Sequence, residues 1–299
     1  MNAQRIAVVT DTGTNVPADF IKAHDIREIP LQINYTEGSF RSGVDISAEE
    51  VIERFATEIP TTSLPSPASI REALEQARAD GYEKAVIITI SSALSATNQT
   101  CHLVANQMED FPVAVVDTKS IGIAAGMTVM DCALMVEAGV DFDVLEGRLN
   151  AEAAQTWVLF SLDELQYLRH GGRISEATYR LGSALNMKPV FECDEEGAYR
   201  TVKKCRGRER ALKATVDLIA ERAKLYKSVV LACASSRAGD DDPLLERYVS
   251  LLQEKVGNAR GLIRTRLSPD LLVHTGPTLI GMAVQPAMPE MAEWMAAQA

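Results

Sequence analysis

The chain lacks most of the signatures by which a sequence announces its chemistry. It has no G-x-x-x-x-G-K-[ST] loop and no G-x-G-x-x-G after a strand, so no nucleotide phosphate cradle can be read from it. A G-x-S-x-G elbow and an H-E-x-x-H pair are also missing, and the four histidines, His24, His102, His170 and His274, have no metal-like spacing. Five scattered cysteines form no C-x-x-C pair and read as reduced structural thiols of a cytoplasmic protein. No run approaches the roughly 18 apolar residues of a membrane span, and the N-terminal MNAQRIAVVTDT has no cleavable apolar core. Basic residues are outnumbered, 30 Lys and Arg against 41 Asp and Glu, for a net charge of -11. A surface of that sign argues against a nucleic-acid or anionic-membrane partner.

What the 299 residues do contain is an alternation of strand and helix patterns, long enough for two domains. Arg5 to Thr10, Ile29 to Tyr35, Ala85 to Ile90 and Pro112 to Val116 read as strands, with a loop over Gly38 to Ile46. Helices are expected from Ser47, which forms a capping box with Glu50, then over Ala68 to Ala79, Ser95 to Met108, Ser120 to Ala138 and Asp143 to Ala153. Thr156 to Ser161 is taken as the strand that ends a first domain, residues 1–161. Residues 162–299 then form a second, smaller α/β domain, with a short helix over Leu162 to His170. Its strands are expected at Leu185 to Phe191, Tyr199 to Lys203, Ser228 to Ala234, Ala259 to Thr265 and Leu279 to Val284. Two helices, at about Arg208 to Tyr226 and Pro243 to Lys255, would cover that sheet, and Pro289 to Ala299 makes a short peripheral helix or a frayed tail. The acidic run Asp240, Asp241, Asp242 before Pro243 has the composition of a helix N-cap rather than of a metal site.

Hydroxyls are concentrated where an α/β sheet places its ligands. Thr61, Thr62, Ser63 and Ser66 precede one helix; Ser91, Ser92, Ser95 and Thr97 open another; three strands end in small polar residues. Any one of these is an ordinary cap or turn former, but two such clusters in one sheet make a pocket of neutral donors suited to a small anion. Small residues at Gly122, Ala124, Ala125 and Gly126 point to a close backbone approach. Asp11, in Asp11-Thr12-Gly13, suggests a rival chemistry, a small-anion hydrolase or phosphotransferase. The second acid such an enzyme would carry two residues on is replaced by Gly13.

Seven segments, TDTGTNVP (10–17), TTSLPSP (61–67), ISSALSAT (90–97), VVDTKS (115–120), LDELQYLRHGGRIS (162–175), LNMKPV (185–190) and HTGPT (274–278), resemble in this order those of the DegV family of fatty-acid-binding proteins. The resemblance implies a two-domain DegV-like α/β fold with a long-chain fatty acid, of the palmitate or oleate class, in a tunnel between the domains. It implies that Thr62 and Ser95 hold the carboxylate, with Ser63, Ser92 and His274 as secondary head-group candidates. It further implies a non-catalytic carrier without cofactor or metal, which presents its acid to an ATP-binding fatty acid kinase subunit, with Arg173 near the head group or docking face. Ala96 and Thr278 depart from the family pattern, each standing where a glycine is usual. His274, among glycine and proline, is expected on a loop.

Overall fold

The computed structural model of the chain describes residues 2–184, 187–237 and 242–298. In chain order the strands are β1 (Ile6–Asp11), β2 (Arg27–Ile29), β3 (Gln32–Tyr35), β4 (Gly38–Arg41), β5 (Thr61–Ser63), β6 (Lys84–Thr89), β7 (Val113–Asp117), β8 (Trp157–Ser161), β9 (Met187–Cys193), β10 (Tyr199–Arg206), β11 (Val229–Ser235), β12 (Ala259–Arg266) and β13 (Ile280–Pro286). They form a parallel sheet in the order β2-β1-β6-β7, a mixed sheet in the order β10-β9-β8-β13-β11-β12 and a small antiparallel sheet in the order β4-β3-β5.

Local signals set several element ends as expected. Ser47 and Glu50 close a capping box on the helix Ala48–Arg54. Ser66 accepts from the Ser69 amide and Pro67 occupies the first turn of the helix Pro67–Ala79. Asp242 accepts from the amides of Leu244 and Leu245 at the start of Pro243–Lys255; its neighbours Asp240 and Asp241 lie outside the described residues, as do Leu185 and Asn186.

Other expectations are corrected. Ile29 to Tyr35 is not one strand: Pro30, with no N–H to give a ladder, separates β2 in the parallel sheet from β3 in the antiparallel one. Part of the expected loop at Gly38 to Ile46 is β4, and the hydroxyl stretch at Thr61 is β5, an edge strand paired to β3. β8 does not end the parallel sheet; it pairs with β9 and β13, so the sheet boundary falls before Trp157, and the second sheet has six strands against four. The helix expected from Leu162 is confined to Gln166–His170, and that from Ser95 to Thr97–Ala105. The C-terminal helix Pro289–Gln298 is docked, with Met291 and Met295 buried and Trp294 edge-on to Phe20 at 5.2 Å.

One helix joins the two large sheets. From Gly122 to Val136 every residue of the helix Gly122–Glu137 is buried, with β1 and β6 on one side and β11 and β13 on the other. Its composition is apolar nearly all round, as in a helix with no solvent side, and its buried Asp131 accepts from Gln285 Nε2. The close approach read from its small residues is to the turn after β1: a Cβ on Gly126 would lie 2.4 Å from the Thr14 carbonyl oxygen and 3.3 Å from the Val16 amide. The outer face of the parallel sheet is covered by Pro67–Ala79 and Thr97–Ala105, and that of the mixed sheet by the helices Arg208–Ala223 and Pro243–Lys255.

Because the atoms met at Gly126 are backbone, Gly126→Ala is expected to lower the unfolding free energy by about 1–3 kcal/mol. Urea titration measures this, and an unchanged midpoint would mean that the Thr14 turn can withdraw freely.

Candidate functional site

Between the parallel and mixed sheets lies a cavity of about 450 Å³. Its inner wall is apolar and buried: Ile90 at the end of β6, Ile123 at the start of the central helix, Val158 and Phe160 on β8, and Leu271 on the helix Pro269–Thr275. Thr62, Ser63, Ser92, Ser95, Arg173 and His274 all line it as well. Of these six only His274 is buried, so the polar end is the one nearest solvent.

Thr62 comes from β5, paired opposite Ile33 of β3, and its Oγ1 is 2.7 Å from His274 Nε2. His274 stands not on a loop but near the end of the helix Pro269–Thr275, a seven-residue element that proline at its first turn helps to start. Burial, reinforced by the nearby Arg173 guanidinium, brings its pKa down to about 3, so the ring is neutral. Its Nδ1 has no partner among the described residues. Gly171, just after the helix Gln166–His170, makes room for this ring: any Cβ there would collide with Nδ1.

Ser95 is presented by a turn. The amides of Leu94 and Ser95 both donate to the Ser91 carbonyl, the Ala93 amide to Ser91 Oγ, and the Ser92 amide to Asp117 Oδ1. The Ser95 hydroxyl is 2.8 Å from Thr97 Oγ1 and accepts from the Thr97 amide at 3.3 Å. Ser63 is turned to Asn34, from whose Nδ2 it accepts. Arg173 donates to the carbonyls of Leu94 and Gly171 and pairs with no carboxylate among the described residues. The donors at this end are therefore not all neutral, as the hydroxyl clusters alone suggested: a guanidinium stands with them.

The two departures from the family pattern cost little. Ala96 has a φ of −74°, which needs no glycine, and Thr278 Oγ1 accepts from the Asp163 amide at 3.0 Å. Sequence reading missed Asp270, which lines the same cavity, is bonded to Ser42 and has a carboxyl that burial pushes up. It lies four residues before His274, the spacing that shares a helix face; without the helix that signal could not be used.

Asp11 lies elsewhere. Its two oxygens accept from the Gly13 and Ile90 amides, at 2.9 and 3.0 Å, and it is 1% exposed. Burial raises its pKa to about 7 against those two bonds. It ties β1 to the end of β6 and does not line the cavity. Among the described residues no group of three or more His, Cys, Asp or Glu is placed to hold a metal ion, and no helix is long and apolar enough to cross a membrane.

Comparison with known proteins agrees with this architecture. A DegV domain-containing protein of Clostridium perfringens is 32% identical over 288 residues, 94% of this chain and 99% of its own. One from Streptomyces coelicolor is 30% identical over 283 residues, 94% of this chain and 99% of its own. Among solved structures, a DegV family protein from Thermus thermophilus described for its fatty acid binding matches with a TM-score of 0.83 at 27% identity, over 94% of this chain and 99% of that one. DegV of Bacillus subtilis, a fatty acid binding protein, has the same fold, with a TM-score of 0.83 at 23% identity over 95% of this chain and 99% of that one. The model of the DegV family, whose members it describes as uncharacterised, matches residues 5–287, and the chain belongs to that family.

Proposed function

We propose that the protein binds a long-chain fatty acid, with the carboxylate held by the hydroxyls of Thr62 and Ser95 and the tail in the cavity between the sheets. The observation that carries this reading is a cavity with a largely apolar inner wall, whose solvent-side end gathers those two hydroxyls with Arg173 and His274. A methylene fills roughly the 30 Å³ share of a liquid water molecule, so about 450 Å³ suits a chain of about fifteen carbons. Burying about fourteen methylenes at about 0.8 kcal/mol each gives roughly 11 kcal/mol gross, against an association cost of about 4 to 15 kcal/mol. The tail supplies most of the affinity, and the hydroxyls decide which end faces out.

The neutral histidine gives the head-group site a direction. With Nε2–H donating to Thr62 Oγ1, the Thr62 hydroxyl proton is free for the carboxylate; the opposite tautomer would leave Thr62 as an acceptor, facing an anion. Arg173, which has no acidic partner among the described residues, adds a charge of the right sign. Such a site leaves the carboxylate near the surface, and we propose that it is offered there to a separate ATP-binding kinase subunit, with Arg173 beside the phosphoryl group that arrives. The rival hydrolase reading draws no support from Asp11, whose oxygens are both engaged by backbone amides.

Native mass spectrometry of freshly purified protein is expected to detect a retained fatty acid; finding none, even after incubation with palmitate or oleate, would remove the proposal. Thr62→Val combined with Ser95→Ala should weaken binding by about 2 to 5 kcal/mol in a fluorescence displacement assay while leaving the unfolding midpoint in place. Since His274 is held near a pKa of 3, it does not titrate between pH 8 and about pH 5. Affinity is expected to stay level over that span and to fall only where the ligand carboxylate itself takes up a proton. A rise in affinity as the pH falls through about 6.5 would show instead that the ring gains charge, and the argument from a neutral ring would fail.

A further inference from the structure

The face of the mixed sheet turned towards the cavity is unevenly filled. Strand register sets Phe191 of β9, Phe160 of β8, Gly281 of β13 and Ala234 of β11 side by side. Phe160 and Phe191 stack at 5.4 Å and Tyr199 meets Phe160 edge-on at 5.0 Å, so the aromatic half of the row is locked together. The row then drops to no side chain at Gly281 and a methyl at Ala234. On the opposite face the neighbouring residues Leu159, Met282 and Cys233 pack in the core under the outer helices without such a step. Phe160, Gly281 and Ala234 all line the cavity, and the step between them is a trough in its wall.

Neither usual reason for a glycine applies at position 281. Its φ is not in the left-handed region, unlike that of Gly122, which also lines the cavity and has a φ of +58°. A Cβ there would meet Leu279 Cδ2 at 3.5 Å and Phe160 Cβ at 3.6 Å, which is ordinary contact. Glycine inside a buried strand gives up packing and costs conformational entropy, and it often marks close approach by a ligand. The missing side chain is therefore of use only if something else occupies its space.

We infer that Gly281 sets which acyl chains the cavity accepts: the trough over it, walled by Phe160, is the bed of the tail. This rests on the acyl-binding reading above. A side chain at 281 takes the space of several ligand carbons, so long chains lose more than short ones.

The test is displacement titration of wild type, Gly281→Ala and Gly281→Val with dodecanoate, tetradecanoate, hexadecanoate and octadecanoate. Gly281→Val is expected to lose about tenfold or more in affinity for the two longer acids relative to dodecanoate. Gly281→Ala should shift the ranking in the same direction by less, with a melting temperature no lower than wild type, and it carries the test if the valine variant does not fold. An unchanged ranking, or an equal loss for all four acids, overturns the role of Gly281 while leaving acyl binding in place. A wild-type protein that binds none of them overturns the acyl-binding reading itself.

Discussion

The two large sheets are held at a fixed spacing by one helix, Gly122–Glu137, which is buried on every side. Its closest contact, Gly126 against the Thr14 carbonyl, fixes it to the parallel sheet to within a methyl group. Where the helix begins, at Gly122 and Ile123, the spacing persists but the filling stops, and the cavity opens. A packed interior tolerates few voids larger than a water molecule, so an apolar space of about 450 Å³ is a departure from ordinary core construction. It is kept open by rigid elements on both sides, not by a loosely packed core.

The division of labour within the cavity follows from burial. The apolar wall belongs to strands and helices whose side chains are enclosed, whereas the polar end is made by an edge strand, a turn, the segment after the helix Gln166–His170 and the last turn of Pro269–Thr275. Such elements present the hydroxyls without fully burying them, whereas Arg173 is half-buried and desolvation holds its pKa below the usual value. His274 and Asp270 are enclosed, and enclosure favours the neutral form of each.

Much of this was legible in the sequence where the signal is local. The capping box at Ser47, Pro67 at a helix start and the buried strands β1, β6 and β11 follow from short patterns, and the hydroxyl clusters pointed to the polar end. What was not legible depends on pairing between distant segments. Nothing in TWVLFS tells which sheet β8 joins, because a buried strand looks alike in either; its partners are later strands, β9 and the far more distant β13. Pro30 could have signalled the break between β2 and β3, but the alternation on either side of it masked the change of sheet. The helix Pro269–Thr275 is too short for its periodicity to stand out, and with it went the face that Asp270 and His274 share. The trough at Gly281 is a property of four strands in register, and no single stretch of chain contains it.

The bond between Thr62 and His274 spans 212 positions of sequence. β8 likewise waits for β13 before its edge is covered. A chain still being synthesised therefore has the threonine long before the histidine, and half a barrier where the closed compartment will be. The cavity takes shape only once β13 has joined β8, so a ligand of the kind proposed above would meet its binding space only in a chain folded through that strand.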